Sequence, residues 1–126
     1  MTPPKIIVFS LAFFVVLSGI KSQTTDPQTC YSKIDFNYST IDDNGLLNNE
    51  VAIDYEFCIP KDDIKVAEVM AIEPTIQIPR MAKGRIKCSE EEWLCIVSTN
   101  GPGWKDKLHA IAALPYVNRI VQTHYE

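Results

Sequence analysis

Residues 50–60 read Glu-Val-Ala-Ile-Asp-Tyr-Glu-Phe-Cys-Ile-Pro. Val51, Ile53, Tyr55, Phe57 and Ile59 alternate with Ala52, Asp54, Glu56 and Cys58, the two-residue period of a strand buried on one face. Its apolar side is broad, and its other side carries two carboxylates and a thiol. Pro60 ends the run, because proline has no N–H for a sheet ladder and restricts the residue before it. Much of the remaining chain reads as cover for the apolar side.

Downstream, residues 61–72 (Lys-Asp-Asp-Ile-Lys-Val-Ala-Glu-Val-Met-Ala-Ile) follow a helical pattern. Asp62 and Asp63 suit its first turn, where carboxylates accept free N–H groups and oppose the dipole. Val66, Val69 and Met70 fall on one side, and Pro74 stops the helix. Residues 75–78 form a short β-branched run cut by Pro79, residues 80–84 a loop or bulge, and residues 85–88 a resumed strand. The proline consigns that strand to an edge. Residues 93–97 (Trp-Leu-Cys-Ile-Val) are apolar without a break, the pattern of a central strand. The loop Asn100-Gly101-Pro102-Gly103 leads into a second helix over residues 104–114, with Trp104, Leu108, Ile111 and Ala112 on one stripe. Pro115 closes it. Residues 116–125 make a last strand with Val117, Val121 and Tyr125 at one parity.

The order strand, helix, strand, strand, helix, strand predicts an α+β domain over residues 50–126. It is of the ferredoxin-like split βαβ kind: an antiparallel sheet with two helices on one face. Right-handed crossovers put the strands in the order fourth, first, third, second. Asp54, Glu56 and Cys58 then look out from the open side of the sheet.

Upstream, residues 23–49 form an N-terminal segment with one additional peripheral strand within residues 31–40, returning toward residue 50 through the turn Asp42-Asp43-Asn44-Gly45. Asn37-Tyr38-Ser39 fits the N-glycosylation acceptor pattern. Residues 1–22 read as a secretory signal peptide: Lys5, then an apolar run over residues 6–17 broken by Ser10, then Ser18-Gly19-Ile20-Lys21-Ser22. That run is shorter than the ~20 residues that span a bilayer. The expectation is a secreted or periplasmic protein with no stable membrane insertion after cleavage.

The chain has 12 basic and 16 acidic residues, and losing Lys5 and Lys21 leaves it more acidic. Such a balance gives no reason to expect nucleic acid as a partner. Cys30, Cys58, Cys88 and Cys95 all fall in the exported part, and an even count there implies disulfides. The pairing expected is Cys30–Cys58 with Cys88–Cys95, since the latter two flank one short turn. No Cys-x-x-Cys occurs, and His109 and His124 stand in no ligand pattern, so no metal and no cofactor is expected.

Two surfaces invite a functional reading. Arg80, Lys83, Arg85 and Lys87 make a basic stripe in an acidic chain, with Met81, Trp93 and Trp104 as candidate neighbours. Such a stripe suits a sulfated or carboxylated glycan, or an acidic protein surface. The commoner reading of such a stripe is an edge strand whose charges deter pairing, with Glu90, Glu91 and Glu92 close enough in the chain to pair with it. Asp54 and Glu56, two residues apart, have the makings of an acid–base pair or a hard-cation site, and also of an ordinary solvated strand face. No nucleophile motif, His-Glu-x-x-His or phosphate-binding glycine loop is present. The reading is therefore a small exported binding or accessory module, with no catalytic residue assigned. The alternatives are an extracytoplasmic thiol or metal-binding protein using Cys58, Cys88 and Cys95, and a small enzyme using Asp54 and Glu56.

Overall fold

The computed structural model describes residues 31–125; the signal peptide expected over residues 1–22, and Cys30, lie outside the described residues. In chain order the elements are β1 (Ile34–Asp35), β2 (Asp54–Pro60), α1 (Asp63–Ile72), β3 (Glu92–Ser98), α2 (Trp104–Ala112) and β4 (Ile120–Gln122). They make a mixed α+β unit with one four-stranded sheet in the order β1-β4-β2-β3. β2 pairs antiparallel with both β3 and β4, and β1 runs parallel to β4.

The strand expected from residue 50 begins at Asp54 and leaves Val51 exposed, but within β2 the alternation produces the expected sidedness. Tyr55, Phe57 and Ile59 are buried and pack with Cys95 and Val97 of β3, Val66 and Val69 of α1, and Leu108, Ile111 and Ala112 of α2. Both helices thus share the face formed by these strand residues. Burying a large apolar side chain contributes roughly 1.5–3 kcal/mol, so this layer is the main source of stability. The register sets Phe57 opposite Cys95 and Cys58 opposite Leu94, which puts Leu94 on the other side of the sheet.

Local signals account for the helix ends. Asp62 caps α1, its side chain accepting the N–H of Ile64 at 2.8 Å. At the far end the N–H of Glu73 reaches the carbonyl of Val69. Only Val66 and Val69 of α1 are buried, while Met70 lies outward. α2 starts after Gly103, whose φ of 82° is left-handed, and buries the four residues on its predicted stripe. The Trp104 indole N–H donates to the carbonyl of Asp42 at 2.7 Å, tying α2 to the N-terminal segment.

Four sequence expectations are corrected. The N-terminal strand is two residues long and lies beside β4, because Lys33 and Ile34 meet the chain at Ile120 rather than at β2. The strand expected over residues 75–78 and 85–88 is reduced to one antiparallel bridge between Gln77 and Ile96; residues 85–87 are turns and Cys88 is irregular. The last strand begins only at Ile120, after turns that bury Val117, so Ile120 and not Val121 reaches the core. The sheet is consequently not wholly antiparallel, and β3, expected in its middle, stands at one end of the strand order, flanked beyond, among the described residues, only by the Gln77–Ile96 bridge.

The fourth correction concerns the disulfides. Cys58 is bonded to Cys88, not to Cys30, and Cys95 is a free, buried thiol. Strand parity is the cause. Cys95 faces the helices with Phe57 beside it, whereas Cys58 points to the opposite side, where the segment bearing Cys88 passes. Closing this 30-residue separation constrains the unfolded chain by about 3.5 kcal/mol on the chain-entropy model.

Candidate functional site

The side of the sheet away from the helices is not open. Residues 79–88, which carry the basic stripe, cross it and are held at three points. The first is the Cys58–Cys88 bond. The second is Glu56, buried to 1% exposure, whose Oε1 accepts the N–H of Ile86 at 2.9 Å while its Oε2 accepts the Thr123 hydroxyl at 3.1 Å. The third is Gly84, with φ of 70°, where an added Cβ would stand 2.7 Å from Leu94 Cδ1 and 3.0 Å from Glu56 Oε1. Only glycine combines that backbone conformation with so close an approach.

The four cations of the stripe do not converge. The Arg80 guanidinium lies 4.0 Å from the centroid of the Trp93 ring, a cation–π contact. Lys83 pairs with Glu90, whose pKa is lowered by that hydrogen bond and charge. Arg85 donates through Nε to the carbonyl of His124 at 3.1 Å. Lys87 has a left-handed φ of 63° and an exposed side chain. Met81, beside Arg80, is 97% exposed.

These residues line three shallow depressions. One, of about 190 Å³, is bordered by Lys61, Arg80, Met81, Lys83 and Glu90. A second, of about 270 Å³, is bordered by Asp35, Arg85, Arg119 and His124, and a third, of about 200 Å³, by Cys58, Lys87, Glu92 and Arg119. Ile86 and Arg119 belong to both of the latter two. Arg119 is itself paired with Asp35 at 2.9 Å.

Lys61 and Arg119 are absent from the sequence reading. Lys61 sits directly after Pro60, and its nearness to Lys83 depends on the bond from its N–H to the carbonyl of Glu91 at 3.0 Å. Arg119 stands more than thirty residues beyond the stripe and reaches it only through the pairing of β4 with β2. No local pattern marks either one.

The other sequence candidates have structural partners. Asp54 accepts the Tyr125 hydroxyl at 2.6 Å, a bond that raises the Tyr125 pKa. With Glu56 buried under the loop, the two carboxylates present no common open surface. His109 meets the Tyr38 hydroxyl at 3.3 Å and the Tyr31 ring at 4.6 Å between centroids. Burial and the nearby Lys105 lower its pKa, against the pull of Asp106. Trp104 is a buried core residue remote in role from the stripe, in contrast to Trp93.

The glycine-rich loop before α2 borders a depression of about 360 Å³ whose rim includes Asp43, Lys105 and Asp106, a net negative lining unsuited to an anion. Among the described residues no three His, Cys, Asp or Glu side chains are grouped to hold a metal ion. Cys58 and Cys88 are spent on each other, and burial pushes the Cys95 thiol up to about 12. Among the described residues no helix is long and apolar enough to cross a membrane.

Comparison of the chain with known protein-family models, curated proteins and solved structures finds no match.

Proposed function

We propose that this chain is a small exported, disulfide-stabilised binding module whose ligand is an anionic polymer, a sulfated or carboxylated glycan in preference to an acidic protein surface. The observation that carries this is the clamped loop. Arg80, Lys83, Arg85 and Lys87 are displayed on a segment fixed by Cys58–Cys88 and Glu56, with Lys61 and Arg119 alongside. Charges spread over several shallow depressions match repeated anionic groups along a chain better than one compact anion. A fixed loop also avoids the ordering entropy that a floppy basic segment spends on binding. An oxidising extracytoplasmic location agrees with the disulfide. We read the architecture as a split βαβ unit in which the second strand has shrunk to the Gln77–Ile96 bridge, freeing its continuation to carry the cations.

Heparin-affinity chromatography and a glycan array test this directly. The exported chain should be retained and should bind sulfated or uronate-rich sugars in a salt-sensitive way. The double variant R85E/K87E should elute at clearly lower salt, while Lys105→Glu on α2 should behave as wild type. Failure of the wild-type chain to be retained, or equal loss in the Lys105 variant, overturns the proposal. Binding to acidic proteins without binding to glycans would transfer the same surface to a protein partner.

A further inference from the structure

We infer that Asn37 is a modification site, the acceptor of an N-linked oligosaccharide added in a secretory compartment. Asn37-Tyr38-Ser39 supplies the pattern, and the fold supplies the presentation. Asn37 lies two residues past β1, and Asn37 and Ser39 are both exposed. The Asn37 side-chain oxygen accepts the backbone N–H of Ser39 at 3.0 Å and the Ser39 hydroxyl at 2.7 Å. A backbone N–H can only donate, so the atom facing it is the carboxamide oxygen. The amide nitrogen, which takes the sugar, takes no part in either bond. Tyr38 points the other way, its hydroxyl 3.3 Å from His109 Nε2 and its ring edge-on to Trp104 at 6.3 Å.

The reaction requires a lipid diphosphate-linked oligosaccharide as co-substrate. The Asn37 amide nitrogen forms a bond to the sugar C1 as the C1–O bond to phosphate breaks. The bonding pair leaves with the lipid diphosphate, and one amide proton passes to a base. Nothing is oxidised or reduced. A bulky, hydrated group here stands next to an end strand, since among the described residues β1 pairs with β4 alone, and would deter edge-to-edge association. Asn37 itself borders none of the three depressions that hold the cations, although Asp35 and Phe36 before it line the second.

This inference rests on the proposed export, and one experiment separates the two. The full chain is expressed in a eukaryotic secretory cell line, and both medium and cells are analysed by mass spectrometry with and without peptide-N-glycosidase. The expected result is protein in the medium heavier than its polypeptide by one oligosaccharide, reduced by the enzyme to the bare chain with Asn37 converted to aspartate. Asn37→Gln and Ser39→Ala should both appear at the bare mass, and Ser39→Thr should keep the sugar. Wild-type protein in the medium at the bare mass overturns the site while leaving export intact. Wild type retained in cells and indistinguishable from Asn37→Gln overturns both. Sugar persisting on Ser39→Ala overturns the assignment to this triplet.

Discussion

Glu56 on β2 accepts the backbone N–H of Ile86 at 2.9 Å, so a carboxylate buried in the sheet holds the loop that displays the positive charge. Its second oxygen takes the Thr123 hydroxyl, which joins the loop to the C-terminal end of the sheet. A polar side chain that looks solvent-directed in sequence is thereby the fastener of the far layer.

Glu56→Ala should cost about 2–3 kcal/mol, because it removes a hydrogen bond to a charged acceptor and strands the Ile86 N–H. Urea unfolding measures the loss, and hydrogen exchange should show the Ile86 amide deprotected more than amides in β3. Unchanged exchange at Ile86 would refute the fastening role.

Breaking the disulfide with a Cys58→Ser/Cys88→Ser double variant should lower stability by about 3 kcal/mol. In the native wild-type protein Cys95 should resist alkylation, since it is buried and its thiol is held up to about 12. It should react at once in denaturant. Rapid native labelling of Cys95 would contradict its placement under the helices.

Tyr55 is buried with no hydrogen-bond partner for its hydroxyl among the described residues. Burial, with the Glu73 charge second, drives its pKa upward. Tyr55→Phe should therefore leave stability unchanged or raise it by about 1 kcal/mol, read from the urea midpoint. A clear loss would show that the hydroxyl is satisfied.

Glu73 has a pKa below the usual 4.5. Burial pushes it up, but hydrogen bonds from the Thr75 side chain and backbone and the Lys107 ammonium outweigh that effect. A carboxyl group depressed in the fold stabilises it above the unfolded-state value, and that stability is lost as pH falls through the folded value. Urea midpoints followed from neutral pH into acid should fall below about pH 4.5, and Glu73→Gln should flatten this limb. An unaltered acid limb in the variant would remove Glu73 from the account.

Gly45 and Gly101 both have positive φ, 83° and 108°, yet only Gly45 is crowded: an added Cβ would lie 1.6 Å from the carbonyl oxygen of Thr99. At Gly101 nothing stands within 4 Å. Gly101→Ala should cost only backbone strain, about 1–2 kcal/mol. Gly45→Ala should be far worse, since backbone must move, and thermal unfolding of the two variants ranks them. Equal costs would reject the contact.

The sequence by itself determined those features whose cause is local. Period two in β2, the unbroken run in β3, Asp62 ahead of α1, and the stripe Trp104, Leu108, Ile111 and Ala112 are each written within about a dozen residues. Burial of Tyr55, Phe57 and Ile59, of Leu94, Cys95 and Val97, and of the α2 stripe followed, as did the lateral pairing of β2 with β3. Val51, by contrast, stayed exposed, and β3 fell at the end of the strand order. Only the tertiary structure decided that Cys58 bonds Cys88, that β1 joins β4, that Glu56 is sealed beneath Gly84 and Ile86, and that Arg119 stands beside the basic loop. Side-chain periodicity states which residues share a face. It carries no information on which distant segment will cover that face, because that is settled by how the whole chain closes around two layers.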